Sequence, residues 1–283
     1  MKLVRFGQPG AEQPGLWQED GIVDLRFVYP EIPDIGEQFF QEGWLEKISD
    51  LKMEGRKMDV RLGPPVSRPQ KIICLGKNYA EHAKEGGFDT PEAPLLFCKT
   101  ANTLNGPYDP ILLPISSDQI DWEVELAVII GKAGKRIVPD QALKHVAGYC
   151  VMNDVSGRRA QFAHSQWFRG KSFDTFAPLG PVLVTPDEIG DVQDLRLTAK
   201  VNGELMQTGA TRDMMFPIDA IIADVSEDIS LLPGDIISTG TPAGVGIFRD
   251  PPVVLRPGDV VECWIEKIGT LCNRVVETIG SGQ

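Results

Sequence analysis

The stretch from Trp122 to Gly131 places the tightest constraint on what this chain can fold into. Its β-branched residues and closing glycine predict a strand. Side chains alternate across a strand, so Glu123 and Glu125 point to one face, about 7 Å apart. Like charges at that spacing raise each other's pKa unless something neutralises them, and a hard divalent cation such as Mg²⁺ would do so. A half-exposed strand with its acids in water explains the same pattern, and the stretch alone leaves both interpretations open.

The composition of the chain favours β structure and excludes some classes of binding partner. The chain has 283 residues, and its 29 glycines and 22 prolines indicate many turns, which favours β structure. A net charge of −12 argues against nucleic acid and anionic membranes as partners. A pocket for an anionic substrate must therefore carry its own Lys or Arg.

Cysteine usage and hydropathy predict the compartment. The 5 cysteines are scattered and form no C-x-x-C pair, so neither a disulfide framework nor a zinc site is expected. Free thiols fit a reducing cytosol. No apolar signal segment and no run long enough to cross a bilayer is seen, so we expect a cytoplasmic protein that does not bind membranes.

The chain divides into two predicted units. Residues 1–62 look like a small N-terminal α/β unit, with short strands and one or two helices between Gly36 and Met58. Residues 63–70 hold three prolines and are the predicted linker. Residues 71–283 form the predicted main domain, in which many strands accompany few long helices. The expected fold class is α+β and mostly β.

Asp154 is a possible third carboxylate. It closes an apolar strand and precedes a predicted helix over residues 156–163, so taken alone it is best explained as an N-cap. Together with Glu123 and Glu125 it would complete an all-oxygen site, which selects Mg²⁺, Mn²⁺ or Ca²⁺ over zinc. The cations that could offset the remaining negative charge are Lys99, Arg158, Arg159 and Lys171.

His82 and Glu85 lie three residues apart on a predicted short helix that two glycines end. A carboxylate beside an imidazole fixes its tautomer and raises its basicity, which prepares a general base. The glycines would let the helix move as a lid. The alternative is a surface ion pair. The chain has only 3 histidines, the others being His145 and His164, so a histidine base must be one of these.

Residues 238–246 form a glycine-rich loop after a predicted strand. The loop matches neither a P-loop nor the G-x-G-x-x-G fingerprint, so nucleotide binding is not expected. Its backbone amides and Thr241 could hold a carboxylate, or the glycines could serve a tight turn alone.

From about residue 70 to 250 the sequence resembles the fumarylacetoacetate hydrolase family. Six pieces in the right order carry the resemblance, which makes it far more specific than any one of them. They are Gly76-x-Asn78-Tyr79 with His82-x-x-Glu85, Leu96-Phe97-x-Lys99, Glu123-x-Glu125-Leu126, Asn153-Asp154-Val155-Ser156 with Gln161, Lys171-Ser172-Phe173-Asp174, and Thr239-Gly240-Thr241-Pro242-x-Gly244-Val245-Gly246.

The resemblance implies a fold and a set of site residues. The implied fold is a mixed β-sandwich roll like the family's C-terminal domain, in a homodimer. Mg²⁺ or Mn²⁺ would be held by Glu123, Glu125 and Asp154. The residues implied in catalysis are His82, Glu85 and Lys171, and those implied in substrate binding are Lys99, Gln161, Gly240 and Thr241.

The implied activity is cleavage of a carbon–carbon bond. The N-terminal unit and the chain length resemble most the bacterial branch that hydrolyses diketo-deoxy sugar acids or acylpyruvates to pyruvate and a carboxylic acid. The substrate would be a small anionic 2,4-diketo acid, with its acyl half near Gly157–Arg169 and Phe248–Pro252. The alternatives are an oxaloacetate decarboxylase or tautomerase of the same family and, from another class, a non-catalytic metal-binding dimeric protein.

Overall fold

The computed structural model describes residues 1–19, 21–51 and 53–278. The last five residues of the predicted main domain, 279–283, lie outside the described residues. Within the described ranges, no helix has both the length and the apolar character that crossing a membrane requires.

Short strands dominate the described chain, as the abundance of glycine and proline predicts. The strands are β1 Lys2–Phe6, β2 Gln13–Gln18, β3 Gly21–Asp24, β4 Leu62–Gly63, β5 Ile72–Gly76, β6 Leu95–Lys99, β7 Leu104–Asn105, β8 Ile111–Leu113, β9 Ile120–Asp121, β10 Val124–Ile130, β11 Val146–Asn153, β12 Ser156–Gly157, β13 Ala177–Val184, β14 Arg196–Val201, β15 Glu204–Ala210, β16 Ile236–Ser238, β17 Val260–Ile265 and β18 Gly269–Glu277.

The described helices are short and lie between the strands, so the α+β, mostly β fold class is confirmed. They are α1 Leu25–Val28, α2 Glu37–Gln41, α3 Trp44–Ile48, α4 Ala80–Glu85, α5 Pro139–Ala142, α6 Arg158–Phe162, α7 Phe168–Lys171, α8 Pro186–Ile189 and α9 Ile218–Ser226.

The strands form one large mixed sheet and two smaller ones. The large sheet runs β3-β2-β1-β13-β11-β10-β16-β5-β6, with β4 paired to β1 and β7 to β13. A second sheet has the order β15-β14-β17-β18-β8, and β12 pairs with β9 alone. Most pairs are antiparallel, while β16 runs parallel to β5.

Strand β10 lies in the middle of the large sheet and is buried on both faces, which explains its nearly continuous apolar sequence. Leu126 and Val128 pack into the core that the five-stranded sheet shares. Ala127 and Ile129 point the other way, into a second core that includes the N-terminal helices α2 and α3. By alternation Glu125 belongs to this second face, but at the end of the strand.

The N-terminal strands join the large sheet directly. Leu3 pairs with Leu183, so β1 lies beside β13 of the main domain. Residues 37–48 hold two short helices, within the range that the sequence indicates. Because β1 pairs with β13, the large sheet contains strands from both predicted units, and the division at residues 63–70 stays a prediction.

Two local expectations need correction. The strand expected from Trp122 to Gly131 is shorter in the structure, where β10 runs from Val124 to Ile130 and the separate two-residue strand β9 precedes it. The helix expected over residues 156–163 starts at Arg158, because Ser156 and Gly157 pair with Ile120 and Asp121 instead.

Candidate functional site

Three buried carboxylates meet at one end of β10. Each of Glu123, Glu125 and Asp154 offers an oxygen within 4.8 Å of the others. The pairing of β10 with β11 sets Val124 opposite Asn153, so the residue after β11 lies beside the residue before β10. The Asp154 N–H donates to the Glu123 carbonyl at 2.9 Å. The two glutamates are only 4% and 1% exposed, so the interpretation as a strand face in water is wrong.

Asp154 does not cap a helix. Helix α6 starts at Arg158, whose preceding residue is Gly157. The carboxylate of Asp154 instead accepts from Lys99 Nζ at 2.6 Å on Oδ1 and from Lys171 Nζ at 2.7 Å on Oδ2. The N-cap interpretation is therefore wrong, and Asp154 belongs to a buried network of charges.

The two glutamates have different partners. Glu123 accepts from Arg158 Nη2 and from Lys171 Nζ, both at 2.6 Å. No cation of the described residues forms an ion pair with Glu125. Its Oε2 accepts from the Ser238 hydroxyl at 2.5 Å and from the Gly240 amide at 3.0 Å. The glycine-rich loop thus holds the carboxylate of Glu125, a candidate metal ligand, through two hydrogen bonds.

These partners drive the pKa values of the two glutamates apart. Burial raises the pKa of Glu123, but Lys171 and Arg158 outweigh it and hold that pKa well below its usual range. Burial, followed by the charges of Asp154 and Glu123, raises the pKa of Glu125 well above its usual range. Burial also opposes the charge on Lys171, yet Asp154 and Glu123 raise its pKa. Without a metal ion, the protonated form is therefore favoured at Glu125 and disfavoured at Glu123.

His82 and Glu85 form a tethered pair on α4. Nδ1 of His82 lies 2.8 Å from Glu85 Oε1, and the other oxygen of Glu85 accepts from the Gly244 amide at 2.8 Å. Because an ionised carboxylate only accepts, Nδ1 carries the hydrogen and Nε2 is left as the base. The side chains are 11% and 20% exposed, so this is no open surface ion pair. His145 and His164 lie outside the cavity that His82 lines.

One small cavity collects most of the predicted site residues. Its volume is about 30 Å³, roughly that of one water molecule in the liquid, so the wall must move to admit a diketo acid. The predicted site residues on its wall are His82, Glu123, Glu125, Gln161, Lys171 and Thr241. The rings of Phe88 and Phe248 pack edge to face at 5.9 Å on the same wall.

Two predicted substrate-binding residues lie behind the cavity. Lys99 is fully buried against Asp154 and does not line the wall, because its ammonium is directed at Oδ1. The Gly240 amide is already bonded to Glu125. Thr241 does line the cavity, but its hydroxyl donates to the Val124 carbonyl at 2.9 Å and accepts from Gln207 at 2.8 Å.

Gln161 is oriented toward the cavity by Arg158. Its Oε1 accepts from Arg158 Nη1 at 3.0 Å. Since Arg only donates, this bond fixes the amide so that Nε2 is the free donor.

Asp121 is a buried site residue that the sequence reasoning missed. Its Oδ1 accepts from Arg158 Nε at 2.6 Å and its Oδ2 from the Ile247 amide at 2.8 Å. The alternation that pairs Glu123 with Glu125 extends back to Asp121, so a signal was present. Asp121 thereby joins the arginine on Glu123 to the turn that carries Phe248.

The sequence matches the family model described as fumarylacetoacetate (FAA) hydrolase C-terminal over residues 71–276. The chain belongs to this family. Among curated family members, the mitochondrial oxaloacetate tautomerase FAHD2B of Bos taurus is 44% identical over 292 residues, covering 98% of this chain and 92% of that protein. The 2,4-didehydro-3-deoxy-L-rhamnonate hydrolase of Sphingomonas sp. (strain SKA58) is 46% identical over 280 residues, covering 98% and 96%.

Solved family structures share the whole fold. A fumarylacetoacetate hydrolase from psychrophilic Exiguobacterium antarcticum superposes with a TM-score of 0.81 at 40% identity, covering 98% of this chain and 100% of that one. The maleylpyruvate hydrolase of Sphingobium sp. SYK-6, in complex with manganese(II) and pyruvate, gives 0.79 at 30% identity, covering 99% and 100%. The fold expected from the resemblance is confirmed, and the family's hydrolase and tautomerase activities define the class of reaction.

The donor set fits a hard divalent cation. Three carboxylates offer oxygen ligands within 4.8 Å of one another, the ligand type that Mg²⁺ and Mn²⁺ prefer. Glu125 lacks a cationic partner among the described residues and has a raised pKa, so it is the group whose negative charge a bound cation would compensate.

Proposed function

We propose that this protein is a metal-dependent hydrolase that cleaves a 2,4-diketo acid to pyruvate and a carboxylic acid. The observation that carries the proposal is the His82–Glu85 pair, at 2.8 Å, on the wall of the cavity that holds the glutamates of the carboxylate triad. A prepared base beside an oxygen-ligand site is what activation of water next to a bound oxo acid requires.

The cation would be held by Glu123, Glu125 and Asp154. When bound, it supplies Lewis-acid polarisation of the 2-oxo acid end of the substrate. Arg158, Lys171 and Lys99 together donate to both oxygens of Glu123 and of Asp154, so these carboxylates are oriented before the substrate arrives. A bound cation would compete with the Lys171 ammonium for them.

The residues of the chain then carry the proton steps. His82 Nε2 removes a proton from water, while Glu85 stabilises the imidazolium that forms. The water oxygen bonds to C4 of the substrate, the C3–C4 bond breaks, and its electron pair stays on C3 as the enolate of pyruvate. The Lys171 ammonium and the Gln161 amide face the developing negative oxygen, with Thr241 beside them. A proton returned to C3 completes pyruvate, and the other half leaves as the acid.

Pyruvate release tests the proposal. Acylpyruvates should give pyruvate and a matching acid with Mg²⁺, and neither product with EDTA. His82→Ala should lower kcat by about 10²–10⁴-fold while magnesium titration is retained. His164→Ala, at an exposed position, is the matched control. Normal turnover in His82→Ala would contradict the role of the base.

Oxaloacetate tautomerisation is the second candidate, and the 44% identity to an oxaloacetate tautomerase over 98% of the chain favours it. That reaction moves a proton between C3 and the enol oxygen and needs no attack by water. Interconversion of keto and enol oxaloacetate without acid production from any acylpyruvate would favour the tautomerase over the hydrolase. Carbon dioxide release from oxaloacetate would indicate the decarboxylase alternative. Family membership favours an enzyme over the non-catalytic metal-binding protein.

The assembly and compartment remain predictions. We expect a homodimer, which light scattering of the purified protein would test. A cytoplasmic location is the expectation from the free cysteines.

A further inference from the structure

Lys77 differs from the other basic residues on the cavity wall. The wall carries Lys77, Arg158 and Lys171. Arg158 and Lys171 are each held by two buried carboxylates at 2.6–2.7 Å. No carboxylate among the described residues pairs with Lys77, and its ammonium lies 4.1 Å from the centroid of the Phe88 ring. Its positive charge is therefore the one on this wall that no carboxylate of the described chain compensates.

The backbone presents Lys77 in a fixed and costly conformation. Its φ is +59°, in the left-handed region that a side chain rarely adopts. On one side Gly76 lies against Trp167, where a Cβ would come within 2.5 Å of the ring. On the other side Asn78 donates to the Thr239 carbonyl at 2.8 Å and accepts from the Phe216 amide at 2.8 Å. A glycine would adopt this φ without strain, so the turn presents the lysine side chain at a cost in stability.

The surroundings of Lys77 are largely aromatic. The rings on the cavity wall are those of Phe88, Phe97, Phe162, Trp167 and Phe248. Apolar rings lower the local dielectric and exclude water, which strengthens any ion pair that forms there. Closing such a wall over a neutral group would leave the ammonium desolvated without a partner.

We propose that Lys77 binds a negatively charged group on the acyl half of the substrate, so that the enzyme acts on dicarboxylates. The inference rests on the proposed function, because the triad, Lys171 and Gln161 are assigned there to the pyruvate half. The distal half then meets the rest of the wall. A carboxylate at that end pairs with Lys77 when the cavity closes, whereas a sugar-like polyol end offers only neutral hydroxyls.

Two substrates that differ only at the distal end test this assignment. Succinylpyruvate ends in a carboxylate, and butanoylpyruvate has the same chain length with a methyl group there. For the magnesium-loaded enzyme we expect kcat/KM to favour succinylpyruvate by about 10- to 100-fold, the range for a hydrogen bond to a charged group. In Lys77→Met this ratio should fall toward one, and in Lys77→Arg it should be largely restored. Lys84→Met removes a charge from the exposed face of α4 and should keep the ratio.

Equilibrium binding separates this inference from the proposed reaction. Both compounds are titrated into magnesium-loaded His82→Ala protein, with and without Lys77→Met, so that the reading does not depend on turnover. Tighter binding of succinylpyruvate that disappears with Lys77→Met supports the inference, even if no acylpyruvate is hydrolysed and the proposed function fails. Hydrolysis of both substrates with equal kcat/KM, or a charge preference that survives Lys77→Met, would overturn the role of Lys77 while the proposed function stands.

Discussion

Replacing Lys171 with Met probes the charge balance of the site. Four buried carboxyl groups, Asp121, Glu123, Glu125 and Asp154, face three buried cations, Lys99, Arg158 and Lys171. The raised pKa of Glu125 favours the neutral form of that carboxyl, which reduces the excess of negative charge in the metal-free site. The Lys171 ammonium lies 2.6 Å from Glu123 and 2.7 Å from Asp154. Removing one partner from a buried ion pair costs about 3–5 kcal/mol, because a charge is left uncompensated. We expect that loss in the free energy of unfolding of metal-free Lys171→Met.

Magnesium should restore part of this loss. The divalent cation supplies the positive charge that the variant lacks, and at about 100 times its Kd it stabilises the fold by about 2.7 kcal/mol. The Kd of the variant for Mg²⁺ should also be lower than that of the wild type, since the ion no longer competes with an ammonium for Glu123 and Asp154. Pyruvate release should nevertheless be lost, because in the proposed reaction the same ammonium stabilises the enolate.

Urea unfolding in EDTA and in Mg²⁺ measures both effects. Lys144→Met is the matched control, because Lys144 is exposed and, among the described residues, bonds only to the side chain of Gln141. The reasoning is refuted if Lys171→Met unfolds in EDTA at the wild-type urea concentration, or if magnesium stabilises it no more than it stabilises the wild type.

Three further predictions follow from the same network. Calorimetry should find that Mg²⁺ affinity weakens about tenfold per pH unit as the pH falls below the raised pKa of Glu125, because binding must then displace its proton. An affinity that does not change with pH would contradict this prediction. Lys99→Met should weaken Mg²⁺ binding by about 10- to 100-fold, because Asp154 Oδ1 loses its hydrogen-bond donor at 2.6 Å. If the variant binds Mg²⁺ as tightly as the wild type does, Lys99 does not position Asp154. Asp121→Asn should lower kcat/KM by about 10-fold through Arg158 and the turn at Ile247, with little change in magnesium Kd; a loss of metal binding alone would place its effect elsewhere.

The carboxylate triad could be anticipated because most of it follows from local geometry. Glu123 and Glu125 share a face by the two-residue period of a strand, and the structure brings their oxygens together. Asp154 was predicted to close an apolar strand, and the pairing of that strand, β11, with β10 brings it beside Glu123. The difference between the pKa values of the two glutamates could not be predicted from the sequence. It arises because Lys171 and Arg158 form ion pairs with Glu123 rather than with Glu125.

The contacts that were missed are long-range. Asp121 meets Arg158 because β9 pairs with β12, a two-residue bridge across 35 positions that carries no periodic signal. Lys99 was expected at the substrate, but the direction of its side chain depends on the place of β6 at the sheet edge beside β5. Lys77 stands out because of its positive φ and because no carboxylate within the described chain pairs with it. Neither property can be predicted from the sequence motif around Asn78.

The pairing of β1 with β13 has a consequence for biosynthesis. The two strands are separated by about 180 positions, with Met1 accepting from the amide of Thr185. At about 5–20 residues per second, the ribosome completes β13 roughly 10–40 s after β1. During that time, the edge of β1 that pairs with β13 has no partner strand. Conversely, a fragment limited to residues 71–276 would present β13 with a bare apolar edge at Leu183, the kind of edge that recruits other chains. The segment that defines the family in sequence is therefore expected to aggregate when it is made alone.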